Sequence, residues 1–388
     1  MELKEVAAKY AEYQVEMRRY FHQNPEVSEK EFNTSEVIRR ELDKINVPYV
    51  KCGLETGVLA TIEGKKPGKT ILLRGDMDAL TVVETTGAPF ASKVNGVMHA
   101  CGHDCHTSML LTAAHILNDM KDELCGVVKL AFQPAEEVAT GAKGMIADGA
   151  LEGVDSAFGM HIWSDVPAGH ITCDAGPRMA SADYFRIDIK GKGTHGAAPH
   201  LGVDAAVVAA ALINNLQTMV SRETSPVDPL VCTVGTAEIG TRWNVVAENA
   251  HLEGTTRCFS KEVYDAIPLM MERIIKHTAE TFGAEATMEM DRVVPPTCND
   301  EELSALVRSC SEDVMGEGAP VNAPLTMGGE DFAFFGEKVP TAMALLGCRN
   351  EECNAVWPQH SGNYTVDESV LLKGAMLYAK VAMEHNMR

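Results

Sequence analysis

The sequence predicts an α/β fold: a sheet covered by helices on both faces, interrupted by a smaller α+β insertion. Three observations lead there. Short apolar runs alternate with helical stretches through the first half of the chain. A central stretch changes to a β-α-β-β-α-β order, the split pattern of ferredoxin-like domains. Pro295-Pro296 then punctuates the exit from it. The expected division is 1–180 for the first segment of the main domain, 181–293 for the insertion and 294–388 for the second segment.

Residues 4–20 carry an amphipathic helical pattern, and 34–44 a second one with Thr34 or Ser35 as its cap. The runs 58–62, 71–73, 127–132, 156–160 and 342–346 are apolar and short, as buried strands are. Residues 108–117 and 141–151 read as helices. Within the insertion, Phe185, Ile187 and Ile189 alternate with Arg186, Asp188 and Lys190, a strand with one wet face. A helix at 203–220 follows, then strands near 229–239 and 249–258. The helix 261–281 places Val263, Ile267, Met270, Met271 and Ile274 on one side. A last strand alternates from Ala284 to Met290.

Hydrophobic residues make up 45% of the 388 and charged ones 23%, which excludes disordered and collagen-like classes. The net charge of −21 repels phosphate, so neither nucleic acid nor an anionic membrane is an expected partner. The start of the chain is charged and lacks an apolar core, so no signal peptide is expected. No run approaches the ~18 apolar residues of a membrane span. The 11 cysteines are scattered and odd in number, as expected for reduced thiols in the cytoplasm.

The chemistry concentrates in HACGHDCH, residues 99–106. Six potential ligands (His99, Cys101, His103, Asp104, Cys105 and His106) stand in eight positions, with Thr107 as the expected cap of the helix that follows. Imidazole and thiolate together suit zinc or cobalt. Three residues separate Cys101 from Cys105, not the two of a thioredoxin-type pair, although a redox role remains a competing reading. Further polar clusters follow strands: Arg74 to Asp78 after 71–73, Gln133 to Glu137 after 127–132, and His161 after 156–160. In open α/β sheets ligands bind beyond the carboxyl ends of strands, so these clusters and His360 are expected to converge. Adjacent Glu136 and Glu137 repel one another unless a cation sits nearby. One can ligate it and the other can take a proton from water, which points to hydrolysis. In the insertion, His195 and His200 lie in a glycine-rich turn. Asn244 and Arg257 lie further on, and Arg257 could pair with a carboxylate.

In order along the chain, RGDMDAL, HACGHDCHT, FQPAEE, GMHIW, THGAAPH, GTTRCF and MGGEDFAFF resemble the amidohydrolase branch of the aminoacylase and carboxypeptidase metallopeptidases. That branch includes hippurate hydrolase, indoleacetyl-amino-acid hydrolases and N-acetyl-diaminopimelate deacetylase, and the resemblance runs from about residue 15 to about 380. It implies a catalytic domain with a mixed sheet, two divalent ions (manganese, zinc or cobalt) and an inserted lid domain that also forms a homodimer. By motif, the ligands would be Cys101, His103, Glu137, His161 and His360. Glu136 would be the general base. Asp78 would orient a ligating histidine, and His195 would stabilise an oxyanion. Asn244 and Arg257 would touch the substrate, an N-acyl amino acid. Glu330 and Asp331 would support the site without ligating. A dipeptide or aminobenzoyl-glutamate substrate is the alternative within the class, and a silent metal- or ligand-binding homologue the alternative outside it. The chain departs from the pattern at Cys105, where Gly is usual, at Thr81 and Ala247, where Pro is common, and in HSGNYTVDE (360–368), which lacks the Pro common there.

Overall fold

The computed structural model describes residues 2–388. They form two compact units. The larger comprises residues up to Gly176, Cys298–Pro324 and Asp331–Arg388, and the smaller Pro177–Thr297 with Leu325–Glu330.

Among the described residues, the larger unit holds an eight-stranded mixed sheet. Its strands are β1 (Tyr49–Lys51), β2 (Val58–Glu63), β3 (Lys66–Asp76), β4 (Cys125–Gln133), β5 (Ser156–Pro167), β6 (Ile171–Thr172), and two from the second segment, Pro320–Val321 and Thr341–Arg349. β3 runs parallel to both β4 and β5, and β5 parallel to Thr341–Arg349, while β2 joins β4 antiparallel. The apolar runs are continuous because both faces are covered. Ile71 and Leu73 enter one core with Phe21, Leu110 and Leu377, while Leu72 between them enters another with Met145, Phe332 and Phe335. Phe132 and Phe158, both fully buried, each contribute ~1.5–3 kcal/mol of hydrophobic free energy.

Helix boundaries differ from the sequence pattern where a distant group intervenes. The first helical run breaks at Lys9-Tyr10 into α1 (Leu3–Ala8) and α2 (Ala11–Gln23), with the Tyr10 hydroxyl donating to Asp119. Thr34 and Ser35 are not caps but lie inside α3 (Phe32–Lys44). Glu26, from the preceding loop, accepts the Asn33 and Thr34 amides at 3.0 and 2.8 Å and does the capping instead. Nor is Thr107 a cap. α4 begins at His103, after Gly102 at φ 92°, and Thr107 donates to the Asp76 carbonyl. A Cβ on Gly102 would meet Ile162 at 2.3 Å, so glycine is required there on two counts. α5 (Gly141–Ala147) is shorter than the 141–151 pattern.

The smaller unit contains an antiparallel four-stranded sheet of β7 (Ala182–Lys190), β8 (Leu230–Ile239), β9 (Asn249–Cys258) and β10 (Glu285–Val294), in the order β10-β7-β9-β8. Helices α6 (Ala205–Thr218) and α7 (Lys261–Thr281) cover one face, with Phe185, Ile187, Leu212, Leu252, Ile267 and Met271 in the core. The other face carries the charged partners of the alternation, and it is the wet one. Leu325–Glu330 belongs here rather than with the second segment, because Thr326 donates to Arg178 and accepts from Ala180, both at 3.1 Å.

Candidate metal centre

Four pieces of the larger unit converge beyond the carboxyl ends of its parallel strands. β3 delivers Asp76 and, two residues on, Asp78. β4 delivers Glu136 and Glu137. β5 carries His161, and the first turn of α4 carries His103 with Cys101 just before it. His360 arrives from a loop near the C-terminus and is fixed by its amide donating to Ala100 at 2.8 Å.

The donor atoms of Cys101, His103 and His161 all lie within 4.8 Å of one another, and so do those of Cys101, Glu137 and His360. His103, Glu136 and Glu137 form a third such group. Cys101 Sγ lies 3.4 Å from His161 Nε2, and His360 Nε2 lies 3.7 Å from Glu137 Oε1. His103 Nε2 and Glu137 Oε1 are buried without a hydrogen-bond partner, which is costly unless something else binds them.

The ring tautomers favour the same reading. His103 Nδ1–H donates to Asp78 at 3.2 Å, and His161 Nδ1–H to the Ile162 carbonyl at 2.6 Å. Both Nε2 lone pairs therefore face the cluster, as they do in histidine ligands. Burial pushes the Cys101 thiol well above its ordinary pKa, and Glu136 and Glu137 add to the effect. Burial likewise raises Glu137 and keeps His161 neutral. Burial opposes charge on His103, but Asp76, Cys101 and Asp78 override it and raise its pKa. Cys101 and Glu137, buried side by side with raised pKa values, are poised to exchange their protons for a cation. The donor set thus fits divalent ions.

The turn that presents Glu136 and Glu137 is strained. Ala135 and Ala139 have φ of 53° and 55°, and His360 has 66°. Glu31, buried, accepts the Ala135 amide at 2.9 Å, and Asp78 accepts the amides of Glu136 and Glu137 at 3.1 Å each. A Cβ on Gly141 would meet the Pro134 carbonyl at 1.6 Å, so glycine lets the chain close behind the turn. On the His360 side, the Thr85 amide donates to the Gly362 carbonyl at 2.7 Å, and a Cβ on Gly362 would meet the Val83 carbonyl at 2.4 Å.

The other candidates from 99–106 fall outside the donor groups that share Cys101. His99 is buried with both ring nitrogens unpartnered, and burial pushes its pKa down to about 4. Asp104 faces away and binds Arg18 Nε and His22 Nδ1 at 2.9 and 2.8 Å. Cys105 is fully buried and none of the 11 cysteines is in a disulfide. His106 groups with Asp76 and His103. Sequence reasoning missed the buried network behind Asp76. Arg74 donates to Asp76, Gln133 and Asp331, and Asp331 also accepts the Ala142 amide at 3.0 Å at the start of α5. The supporting role expected of Asp331 agrees with these bonds, and the Arg74-to-Asp78 and Gln133-to-Glu137 runs marked its partners; the sequence did not show that they form one network.

In the smaller unit, the loop carrying His195 is zipped to the loop carrying Asn244. Gly196 donates to the Asn244 carbonyl and Val246 to that of Thr194, both at 2.9 Å. His195 is exposed, with Nδ1 accepting from Ala197, and Asn244 Oδ1 has no partner. Arg257, on β9, donates to the Ser181 carbonyl at 3.3 Å, and His200 sits in a short turn at Pro199–Leu201.

Comparison with known proteins agrees. Residues 72–384 match the model of Peptidase family M20/M25/M40. The chain is 40% identical over 375 residues to an N-acetylcysteine deacetylase of Bacillus subtilis, covering 95% of this chain and 96% of the other. It is 39% identical over 374 residues to thermostable carboxypeptidase 2 of Saccharolobus solfataricus, covering 95% and 94%. A crystal structure of a dinuclear metal-binding M20 peptidase from Bacillus subtilis superposes with a TM-score of 0.86 at 35% identity, covering 98% and 99%. With a family model matching most of its length and relatives of about 40% identity across nearly all of it, this chain belongs to peptidase family M20/M25/M40.

Proposed function

We propose that this hydrolase cleaves the amide bond of N-acyl amino acids, releasing a carboxylic acid and a free amino acid. The observation that carries the reading is the pair of three-donor groups sharing Cys101, with Glu136 beside them. Cys101, His103 and His161 would hold one divalent ion and Cys101, Glu137 and His360 a second, with manganese, zinc or cobalt as the candidates. Such ions, when bound, polarise a carbonyl and bring the pKa of a water near ~7.

The residues do the rest. Glu136 takes the proton of the attacking water and returns it to the leaving amine. Its side chain is only 11% exposed, so the proton is not lost to bulk solvent. Asp78 orients His103. His195, from the smaller unit, supplies a donor to the oxyanion, and Asn244 and Arg257 contact the substrate, Arg257 through its carboxylate. The smaller unit acts as a lid and joins two copies into a homodimer. Eleven unbridged cysteines support a reducing, cytoplasmic setting.

The test is release of amino acid from N-acetyl-, N-benzoyl- and indoleacetyl-amino acids after loading with each metal, with Glu136→Gln beside it. Metal-dependent release lost in Glu136→Gln, by at least ~10²-fold, supports the reading. Release from dipeptides or aminobenzoyl-glutamate alone favours the second reading, which the carboxypeptidase relative supports. A protein that binds metal yet cleaves none of these is a silent binding homologue.

A further inference from the structure

His106 lies in the middle of the donor cluster, fully buried, its ring centroid 5.4 Å from that of His103 and 4.5 Å from that of His161. It would pass for a ligand by position. Its hydrogen bonds assign it otherwise. Nδ1 lies 2.5 Å from Asp76 Oδ1, and Nε2 lies 2.8 Å from the backbone nitrogen of Ile162. A backbone N–H can only donate, so Nε2 is the acceptor and Nδ1 carries the hydrogen. Both ring nitrogens are spent. Asp76 is spent as well, since Arg74 Nη1 donates to its other oxygen at 2.6 Å.

The Ile162 peptide is the point of interest. Pairing of β3 with β5 ends at Arg74 and Gly159, so beyond it β5 has a neighbouring strand only on the side of Thr341–Arg349. His106 stands in for the missing strand and takes the Ile162 N–H. The Ile162 carbonyl on the same residue accepts from His161 Nδ1 at 2.6 Å and from Gln359 Nε2 at 3.2 Å. Gln359 directly precedes His360. One residue's backbone therefore connects His106 to His161 and to the loop of His360.

We propose that His106 is a positioning residue, not a ligand: through the Ile162 backbone it holds His161 Nε2 toward Cys101. This rests on the metal-centre reading above. The chain of support runs Asp331 to Arg74, Arg74 to Asp76, Asp76 to His106 and His106 to Ile162. Removing its last link leaves a buried N–H unsatisfied and loosens β5 at Ile162 on the side facing α4. Losses of this outer kind weaken metal binding by ~10–100-fold.

The experiment is cobalt titration of the apoprotein, read by calorimetry and by thiolate-to-cobalt absorption, with folding checked by circular dichroism. His106→Asn keeps a group within reach of Asp76 but not of Ile162, and His106→Gln reaches Ile162 with its carbonyl oxygen. The wild type is expected to bind two ions. His106→Asn is expected to bind one of them ~10–100-fold more weakly with altered thiolate absorption, and His106→Gln to bind both like the wild type. Two ions at wild-type affinity in folded His106→Asn would overturn the role. So would loss of an ion in folded His106→Gln, which would make His106 a ligand. A wild type that binds no ion at all would overturn the metal-centre reading and this role with it.

Discussion

The Asp78 carboxylate binds His103 Nδ1 through one oxygen at 3.2 Å while its two oxygens accept the amides of Glu136 and Glu137 at 3.1 Å each. One buried side chain thus ties His103, a candidate ligand, to the turn that bears both glutamates. Burial alone would raise the Asp78 pKa, but the bond from His103 outweighs it, and the pKa is lowered. The carboxylate form is the one all of these donors require, together with the Ser28 hydroxyl, which donates to Oδ2 at 2.6 Å. In Asp78→Asn an amide NH₂ faces one of them and cannot accept. We expect metal affinity or kcat/KM to fall by ~10–100-fold with the fold intact, as measured by metal titration and steady-state kinetics.

Metal removal will show in the thiols. Cys298 and Cys353 are exposed and are expected to react first with a thiol reagent. Cys101, 9% exposed, is expected to react only after a chelator strips the ions, while Cys105, fully buried, stays inert in both states. Mass mapping of the labelled peptides checks this. Equal labelling or joint oxidation of Cys101 and Cys105 would instead support the redox reading.

Acid stability has a defined sign at Glu84. Burial would raise its pKa, but bonds from His22, Thr86 and the Ser92 amide hold it at about 2. A folded-state pKa below the unfolded value contributes stability that is fully present above the unfolded pKa of 4.5 and is lost as pH falls toward 2. Glu84→Gln is expected to lose stability at neutral pH and to show a flatter decline across that interval. Urea midpoints measured from pH 7 down to 3 test it.

Arg18 is 1% exposed, lies 2.9 Å from Asp104 and 3.1 Å from Glu368, and stacks over Phe90. Arg18→Leu leaves Asp104 buried without its main counter-charge. The expected loss is ~3–5 kcal/mol, read from chemical denaturation. A loss below ~1 kcal/mol would mean that His22 alone satisfies Asp104.

The strands of both units and the long helices were legible in the sequence. Ile71 to Leu73 is apolar at every position because both faces are covered, and Phe185 to Lys190 alternates because one face is wet. Helix starts were less legible. Glu26 caps α3 from a separate loop, and no local pattern records that. The run 99–106 was legible as a cluster of potential donors, but its six candidates do not share one fate. Cys101 and His103 face the donor groups, His106 turns to Asp76 and Ile162, and Asp104 turns to Arg18.

The sequence by itself determined the fold class, the family and the residue types at the site, because hydrophobic periodicity and motif order are local properties of the chain. Tertiary structure alone decided which donors face one another and which are held back as supports. Those distinctions depend on hydrogen bonds between residues such as Arg74 and Asp331, 257 positions apart. A histidine's role follows from which of its two nitrogens is already bonded, and only the folded surroundings determine that.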